Sequence, residues 1–243
     1  MRIPIAGFQK VSLIDYPSHI SAIVFLQGCN MRCPYCHNAV LVPSPSETDE
    51  VYQQRQEALL SYLEERKDVL EGVCITGGEP TMSVELPVFI KALKRIGYKI
   101  KLDTNGTNPE MLLPLFTDRL VDYVAMDIKT SFERYALVGI TSQTLIDNIK
   151  KSIFLIKEHS PDYEFRTTLE PNTVSLTDIS SMGAFIKGVR RWALQAYRPD
   201  IVLDESRCSK RTYSPQEAME FSKRAKPFAK EVILRGYGVA VEL

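Results

Sequence analysis

The chain has 243 residues, 44% hydrophobic and 25% charged, with 30 lysines and arginines balancing 30 aspartates and glutamates. That suits an ordinary globular protein of one large α/β unit or two small ones, with a core that needs no staple. Zero net charge argues against nucleic acid as a partner drawn in by the whole-protein field; the opening stretch is too short for a signal-peptide core and no later run is apolar enough to span a bilayer, so a cytoplasmic protein without a membrane partner is expected.

Short apolar runs alternate with longer amphipathic ones, as in β/α units around a parallel sheet. The first strand, residues 20–26, ends in Ile23-Val24-Phe25-Leu26 and passes through Gln27 and Gly28 into Cys29-x-x-x-Cys33-x-x-Cys36. Residues 41–50, with two prolines, read as a surface loop before a helix over 51–67. A strand over 72–76 runs into Thr76-Gly77-Gly78-Glu79-Pro80, and Ser83 is placed to cap a helix over 84–96. The strand over 99–103 leads into Asp103-Thr104-Asn105-Gly106, and the helix over 109–116 follows an Asn108 cap with Pro109 at its first position. Strand 123–128 ends in Asp127-Ile128-Lys129, helix 144–158 follows, and strand 164–169 carries Arg166. A helix over 175–188, a strand over 192–197, an irregular connection over 198–214, a helix over 215–226 capped by Ser214, and a further candidate strand over 231–234 complete the chain.

Six such units are too few for a closed eight-stranded barrel. The expectation is an α/β fold: a partial (β/α)6, TIM-like barrel with an open parallel sheet, helices outside, and active-site loops at the carboxyl ends of the strands. One domain is expected over residues 1–243, irregular from about 198.

Five cysteines is an odd number, and the grouping of Cys29, Cys33 and Cys36 reads as a ligand set rather than a disulfide framework. A cubane has four irons, so three thiolates leave one iron open to a substrate. The rival is a structural zinc site with His37 as fourth ligand, disfavoured because the adjacent Cys36 and His37 rarely reach one tetrahedral ion together. Cys74, inside an apolar strand, reads as a small core hydrophobe, and Cys208 as a loop residue without ligand neighbours. A single cluster is therefore expected.

The other strand ends carry polar groups. Gly77 and Gly78 let the backbone approach a ligand and Glu79 can accept from an ammonium, although a tight strand-to-helix turn explains the same residues. The Asp103 and Asp127 segments equally fit capped turns. Arg166 is costly to bury alone, so it should meet a carboxylate, of a cofactor or of Glu164 or Glu170.

With Tyr35 as the aromatic, C-x-x-x-C-x-aromatic-C resembles the signature of the radical S-adenosylmethionine (SAM) superfamily. The resemblance implies a partial β/α barrel, one 4Fe-4S cluster on Cys29, Cys33 and Cys36, and SAM chelating the open iron through its amino and carboxylate groups. It places Gly77, Gly78 and Glu79 at the SAM amino group, Asp103, Thr104 and Asp127 along the cofactor, Lys129 near its carboxylate, and Tyr35 and Arg166 among its candidate contacts. The opening segment Gly7 to Pro17, the stretch Phe25-Leu26-Gln27-Gly28-Cys29-Asn30 and Cys36-His37-Asn38 closely resemble the anaerobic ribonucleoside-triphosphate reductase activating proteins, over most of the chain.

That branch implies an oxidoreductase. A low-potential donor such as flavodoxin or ferredoxin reduces the cluster, SAM is cleaved to methionine and a 5′-deoxyadenosyl radical, and that radical takes a hydrogen atom from a glycine of a partner glycyl radical enzyme. The barrel mouth must then admit a peptide loop. Two alternatives stand beside it: a superfamily member acting on a small molecule in cofactor or modified-base biosynthesis, which would more naturally have a sealed pocket, and a non-enzymatic iron-sulfur or zinc module, which needs no Gly77-Gly78-Glu79 turn. Asp15 and Tyr16 either meet the partner or shape the first turn.

Overall fold

The computed structural model describes residues 3–238; Met1, Arg2 and the last five residues of the expected domain lie outside the described residues. Eight strands stand side by side in chain order: β1 (Ile5–Ser12), β2 (Ser21–Leu26), β3 (Gly72–Gly77), β4 (Lys99–Thr104), β5 (Tyr123–Asp127), β6 (Tyr163–Leu169), β7 (Val189–Ala196) and β8 (Ala229–Arg235). From β2 to β8 every pairing is parallel, while β1 runs antiparallel to β2. The connecting helices are α1 (Asp49–Arg66), α2 (Leu86–Ile96), α3 (Pro109–Thr117), α4 (Gln143–His159), α5 (Leu176–Ile186) and α6 (Pro215–Ala225). None of the described helices is long and apolar enough to cross a membrane.

Side chains alternate between the faces of a strand, and here the two faces differ in kind. Val73, Ile75, Ile100, Leu102, Val124, Met126, Phe165, Trp192 and Leu194 join the main core with residues of the helices. The alternate positions hold Cys74, Lys101, Asp103, Asp127, Glu164, Arg166, Thr168 and Gln195. The helix-facing side supplies the hydrophobic stabilisation, leaving the inner side free to carry charge.

The expected β/α strands are all present, with 231–234 inside a full eighth strand. The sequence reading omitted β1, so the sheet has two strands beyond the six units. Gly7, Gln9 and Lys10 interrupt its apolar pattern, its ladder is irregular, and an edge strand is held on one side only. Ser83 is not a cap: helix α2 begins at Leu86 after Glu85, and Ser83 closes a short 3-10 turn over Pro80–Met82. Asn108 and Ser214 do cap, the latter with Glu217 in a reciprocal capping box. The segment after 198 is irregular only as far as α6, and it is well anchored. Leu203 and Asp204 both donate their amides to the carbonyl of Pro34, at 2.9 and 3.0 Å, tying it to the cysteine loop.

β1 and β8 are the unpaired ends of the strand order, so the barrel stays open between them. The β1–β2 loop closes the amino-terminal end of the barrel. There Tyr16, 3% exposed, packs its ring 4.6 Å from His19 and 6.0 Å from Tyr123. A Cβ on Gly72 would fall 2.8 Å from the Tyr16 ring, so the start of β3 has room only for glycine. Tyr16 thus shapes the first turn.

Trp192 is the sole tryptophan, fully buried, with its indole donating to Thr167 Oγ1 at 3.0 Å. Trp192→Ala should cost about 3–5 kcal/mol, the usual range for emptying a large aromatic site. Urea unfolding followed by far-UV circular dichroism checks this.

Candidate active site

The loop carrying the three cysteines leaves β2 at its carboxyl end and folds back under its own hydrogen bonds. Gly28 and Cys29 donate their amides to the carbonyls of Leu41 and Val42, at 2.8 and 3.2 Å, and the Cys36 amide meets the Cys33 carbonyl at 3.1 Å. Arg32 clamps the turn from outside, its Nη1 donating to the carbonyls of Cys29 and Met31. The Met31 amide points at Cys29 Sγ, 3.4 Å away.

The glycines after β3 have a structural reason to be there. A Cβ on Gly77, whose φ is +118°, would lie 2.4 Å from Leu26 backbone atoms, and one on Gly78 would lie 2.1 Å from the Gly28 carbonyl oxygen. Only a chain without side chains lets the β3 turn lie flat against the start of the cysteine loop.

Glu79 then locks the adjoining turn. Its Oε1 accepts from the Thr81 amide at 3.0 Å, the Thr81 hydroxyl at 2.5 Å and the Thr104 hydroxyl at 2.8 Å, and its Oε2 accepts from the Asn105 amide at 2.6 Å. Burial pushes its carboxyl pKa up against these bonds. Both oxygens, which the sequence reading assigned to an ammonium, are taken by the protein's own donors.

A chain of opposite charges crosses the inner face. Lys101 contacts Asp103 Oδ1; Arg166 Nη1 meets Asp103 Oδ2 at 3.0 Å while its Nε meets Asp127 Oδ1 at 2.8 Å; Lys129 completes the row at 2.8 Å from Asp127 Oδ2. The partners of Arg166 are thus the two aspartates at the strand ends. Glu164 is taken by a bidentate pair with Arg235, at 2.8 and 2.6 Å, and Glu170 accepts the Ser209 amide. Burial would raise both aspartates, yet Arg166 first, with Lys101 at Asp103 and Lys129 at Asp127, holds them below the usual carboxylate range. Burial likewise works against the charge on Lys129, but Asp127 and then Cys33 outweigh it and raise its pKa. Three cations face two carboxylates in this row, and Asp15 and Glu79 add carboxyl groups to the same cavity wall.

All the residues expected at the site line one cavity of about 390 Å3: Cys29, Cys33, Tyr35 and Cys36 from the β2 loop, Gly77, Gly78 and Glu79 after β3, Asp103 and Thr104 on β4, Asp127 and Lys129 at β5, and Arg166 on β6. Asn105, Thr168 and Gln195 also line it, and the sequence reading gave none of them a role. Strand alternation could have found two of these, since Thr168 follows Arg166 by two positions and Gln195 ends an inward-facing row.

The donor set fits a cluster with a small cofactor. Three thiols share the cavity wall, and burial holds Cys33 up at about 12 and Cys29 above its ordinary value, so binding metal must release their protons. Lys129, whose charge acts on Cys33, lies on the same wall, and the buried Tyr35 hydroxyl has no hydrogen-bond partner among the described residues. Cys74 differs from its sequence reading: it is buried, but on the polar inner face, 3.5 Å from Lys101 Nζ. His37 also lines the cavity, with its Nε2 3.1 Å from the Arg198 carbonyl.

A second cavity of about 740 Å3 lies between the β1–β2 loop and the inner face of β6 to β8. Ile14, Asp15 and Pro17 line it on one side, and Ala196, Arg198, Arg235 and Gly236 on the other. It shares Asp15, His37, Arg166, Thr168 and Gln195 with the cysteine cavity.

A family model described as the radical SAM superfamily matches residues 23–177. A Methanocaldococcus jannaschii protein, whose name places it provisionally among the glycyl-radical enzyme activating enzymes, is 31% identical over 242 residues, 97% of each chain. The pyruvate formate-lyase-activating enzyme of Listeria monocytogenes is 31% identical over 129 residues, 50% of this chain and 51% of that one. Among solved structures, Escherichia coli coproporphyrinogen III oxidase, titled a radical SAM enzyme, aligns with a TM-score of 0.57 at 13% identity, over 86% of this chain and 52% of that one; this likeness concerns the fold.

Asp103 and Asp127 contribute stability that is fully present above the unfolded aspartate value of about 4 and is lost as pH falls through their depressed folded values. Thermal melts should therefore drop on acidification below about pH 4. Arg166→Met, which removes the group common to both aspartates, should flatten that acid limb.

Proposed function

The chain belongs to the radical SAM superfamily, and from that premise we propose that it is a glycyl-radical enzyme activating enzyme whose partner is an anaerobic ribonucleoside-triphosphate reductase. The family implies a 4Fe-4S cluster and SAM. In this reading Cys29, Cys33 and Cys36 hold the cluster, and the reading treats residues 1–243 as one radical SAM domain. When bound, the two groups supply one-electron chemistry and the capacity to remove a hydrogen atom, with electrons from a donor such as flavodoxin or ferredoxin.

The protein's own residues orient and exclude. Each oxygen of Asp103 and Asp127 already meets one protein cation and keeps a second lone pair for the hydroxyl and amino groups of SAM, Lys129 offers a cation to its carboxylate, and the Tyr35 hydroxyl offers a buried donor or acceptor. Arg166, already committed to both aspartates, keeps their orientation fixed rather than reaching for the cofactor itself. Thr104 and Glu79 hold the β3 and β4 loops together beneath them, and Gly77 and Gly78, pressed against the end of β2, line the cavity.

The observation that supports a protein substrate is the larger cavity that adjoins the cysteine cavity and shares five of its lining residues. A small-molecule enzyme would be better served by a closed pocket, whereas a glycine in an extended loop of another protein needs more room. Asp15, whose Oδ2 is held by Ser12 Oγ at 2.5 Å, stands where the two spaces meet.

The test is an anaerobic mixture of the reconstituted protein, SAM, a reductant and the anaerobic ribonucleoside-triphosphate reductase of the same organism. A glycyl-radical doublet in electron paramagnetic resonance is expected, its splitting collapsing when the reductase carries α-deuterated glycine, and no doublet is expected with Cys33→Ser. Formation of 5′-deoxyadenosine with no radical on the reductase would overturn the choice of partner.

A further inference from the structure

Lys101 is 2% exposed, yet the sequence reading gave it no role and no apolar requirement places a lysine there. It lies two positions before Asp103 on β4 and so shares its face. Its ammonium contacts Asp103 Oδ1, while Arg166 occupies Oδ2, and Cys74 Sγ lies 3.5 Å from it. Burial disfavours its charge, but Asp103 and then Cys74 outweigh that, so it stays protonated.

Charge bookkeeping along the row gives this lysine a specific consequence. Arg166 and Lys129 alone would balance Asp103 and Asp127. Lys101 adds a third cation to the row, in a place where water screens it little. It borders the lateral cavity and is absent from the wall of the cysteine cavity, so its route to the cofactor runs through Asp103.

We propose that Lys101 is a positioning residue for the cofactor site, fixing the Asp103 carboxylate for SAM and adding a buried positive charge that favours the reduced, more negative state of the cluster. The inference rests on the radical SAM reading above and assigns no contact between Lys101 and either group. If Lys101 served only to neutralise Asp103, its loss would let Asp103 take up a proton, leaving the net charge of the site, the cluster potential and the SAM affinity as they were. Removing a cation near an iron-sulfur cluster makes the cluster harder to reduce, because net charge is one of the quantities that set its potential.

Lys101→Met preserves most of the side-chain volume and removes the charge; Lys101→Arg retains the charge. Both are to be prepared as cluster-loaded protein and checked by far-UV circular dichroism and iron content. SAM affinity is read by isothermal titration, and the cluster midpoint potential by dye-mediated redox titration. Lys101→Met should bind SAM about three- to thirtyfold more weakly, the range for a residue acting through its neighbour rather than by contact, with a more negative midpoint potential. Lys101→Arg should stay close to wild type in both. A Lys101→Met protein that binds SAM within about twofold of wild type at an unchanged potential would overturn the inference. If Lys101→Met does not fold, Lys101→Gln is judged by the same two readings. A wild-type protein that assembles no cluster would defeat the proposed function and this inference together, whereas an assembled cluster indifferent to Lys101 defeats only the latter.

Discussion

The guanidinium of Arg166 holds one carboxylate from β4 and one from β5, and the inner face of the barrel is organised around that bridge. Two aspartates at neighbouring strand ends would repel one another if left alone in a poorly hydrated space. A single planar cation with several fixed donors satisfies both and sets their separation. Lys101 and Lys129 extend the row at either end, toward the lateral cavity and the cysteine loop respectively. Such a row is costly to bury, and it is affordable because the opposite face of the same strands packs an unbroken apolar core against the helices.

The loops above this row are held by a different device. Glu79, buried between the β3 and β4 loops, gathers donors from Thr81, Thr104 and Asn105, while the bare backbone of Gly77 and Gly78 lets the β3 turn press on the β2 end. The segment between β7 and α6 adds a clasp, placing two amides on the Pro34 carbonyl between Cys33 and Cys36. The cysteine loop is thus fixed from the β3 side and from the β7 side. A rigid surround of this kind is what a site needs when its chemistry depends on orientation rather than on a side-chain acid or base.

Much of this was legible in the sequence. The cysteine spacing, the polar groups at the ends of apolar strands and the β/α alternation gave both the barrel and the residues that line the cavity, because each depends on local pattern. What escaped depends on contacts between distant segments. Strand β1 has a mixed composition and is recognised by its pairing with β2, and Ser83 looks like a cap until the 3-10 turn before it is seen. Cys74 sits in an apolar run, but strand alternation turns it toward Lys101. The partners of Arg166 lie 39 and 63 residues away, where no sequence window joins them. Glu79 was recognised as important, but its occupation by protein donors follows only from the meeting of two loops.

The central claim is that this cavity holds a three-cysteine cluster with an iron left open to SAM. The most direct measurement is electron paramagnetic resonance of the anaerobically reconstituted and reduced wild-type protein, recorded with and without SAM and accompanied by iron, sulfide and zinc analysis. The account predicts a reduced-cluster signal whose shape and g-values change when SAM is added. A signal indifferent to SAM, or a tightly bound zinc in place of iron, would contradict it.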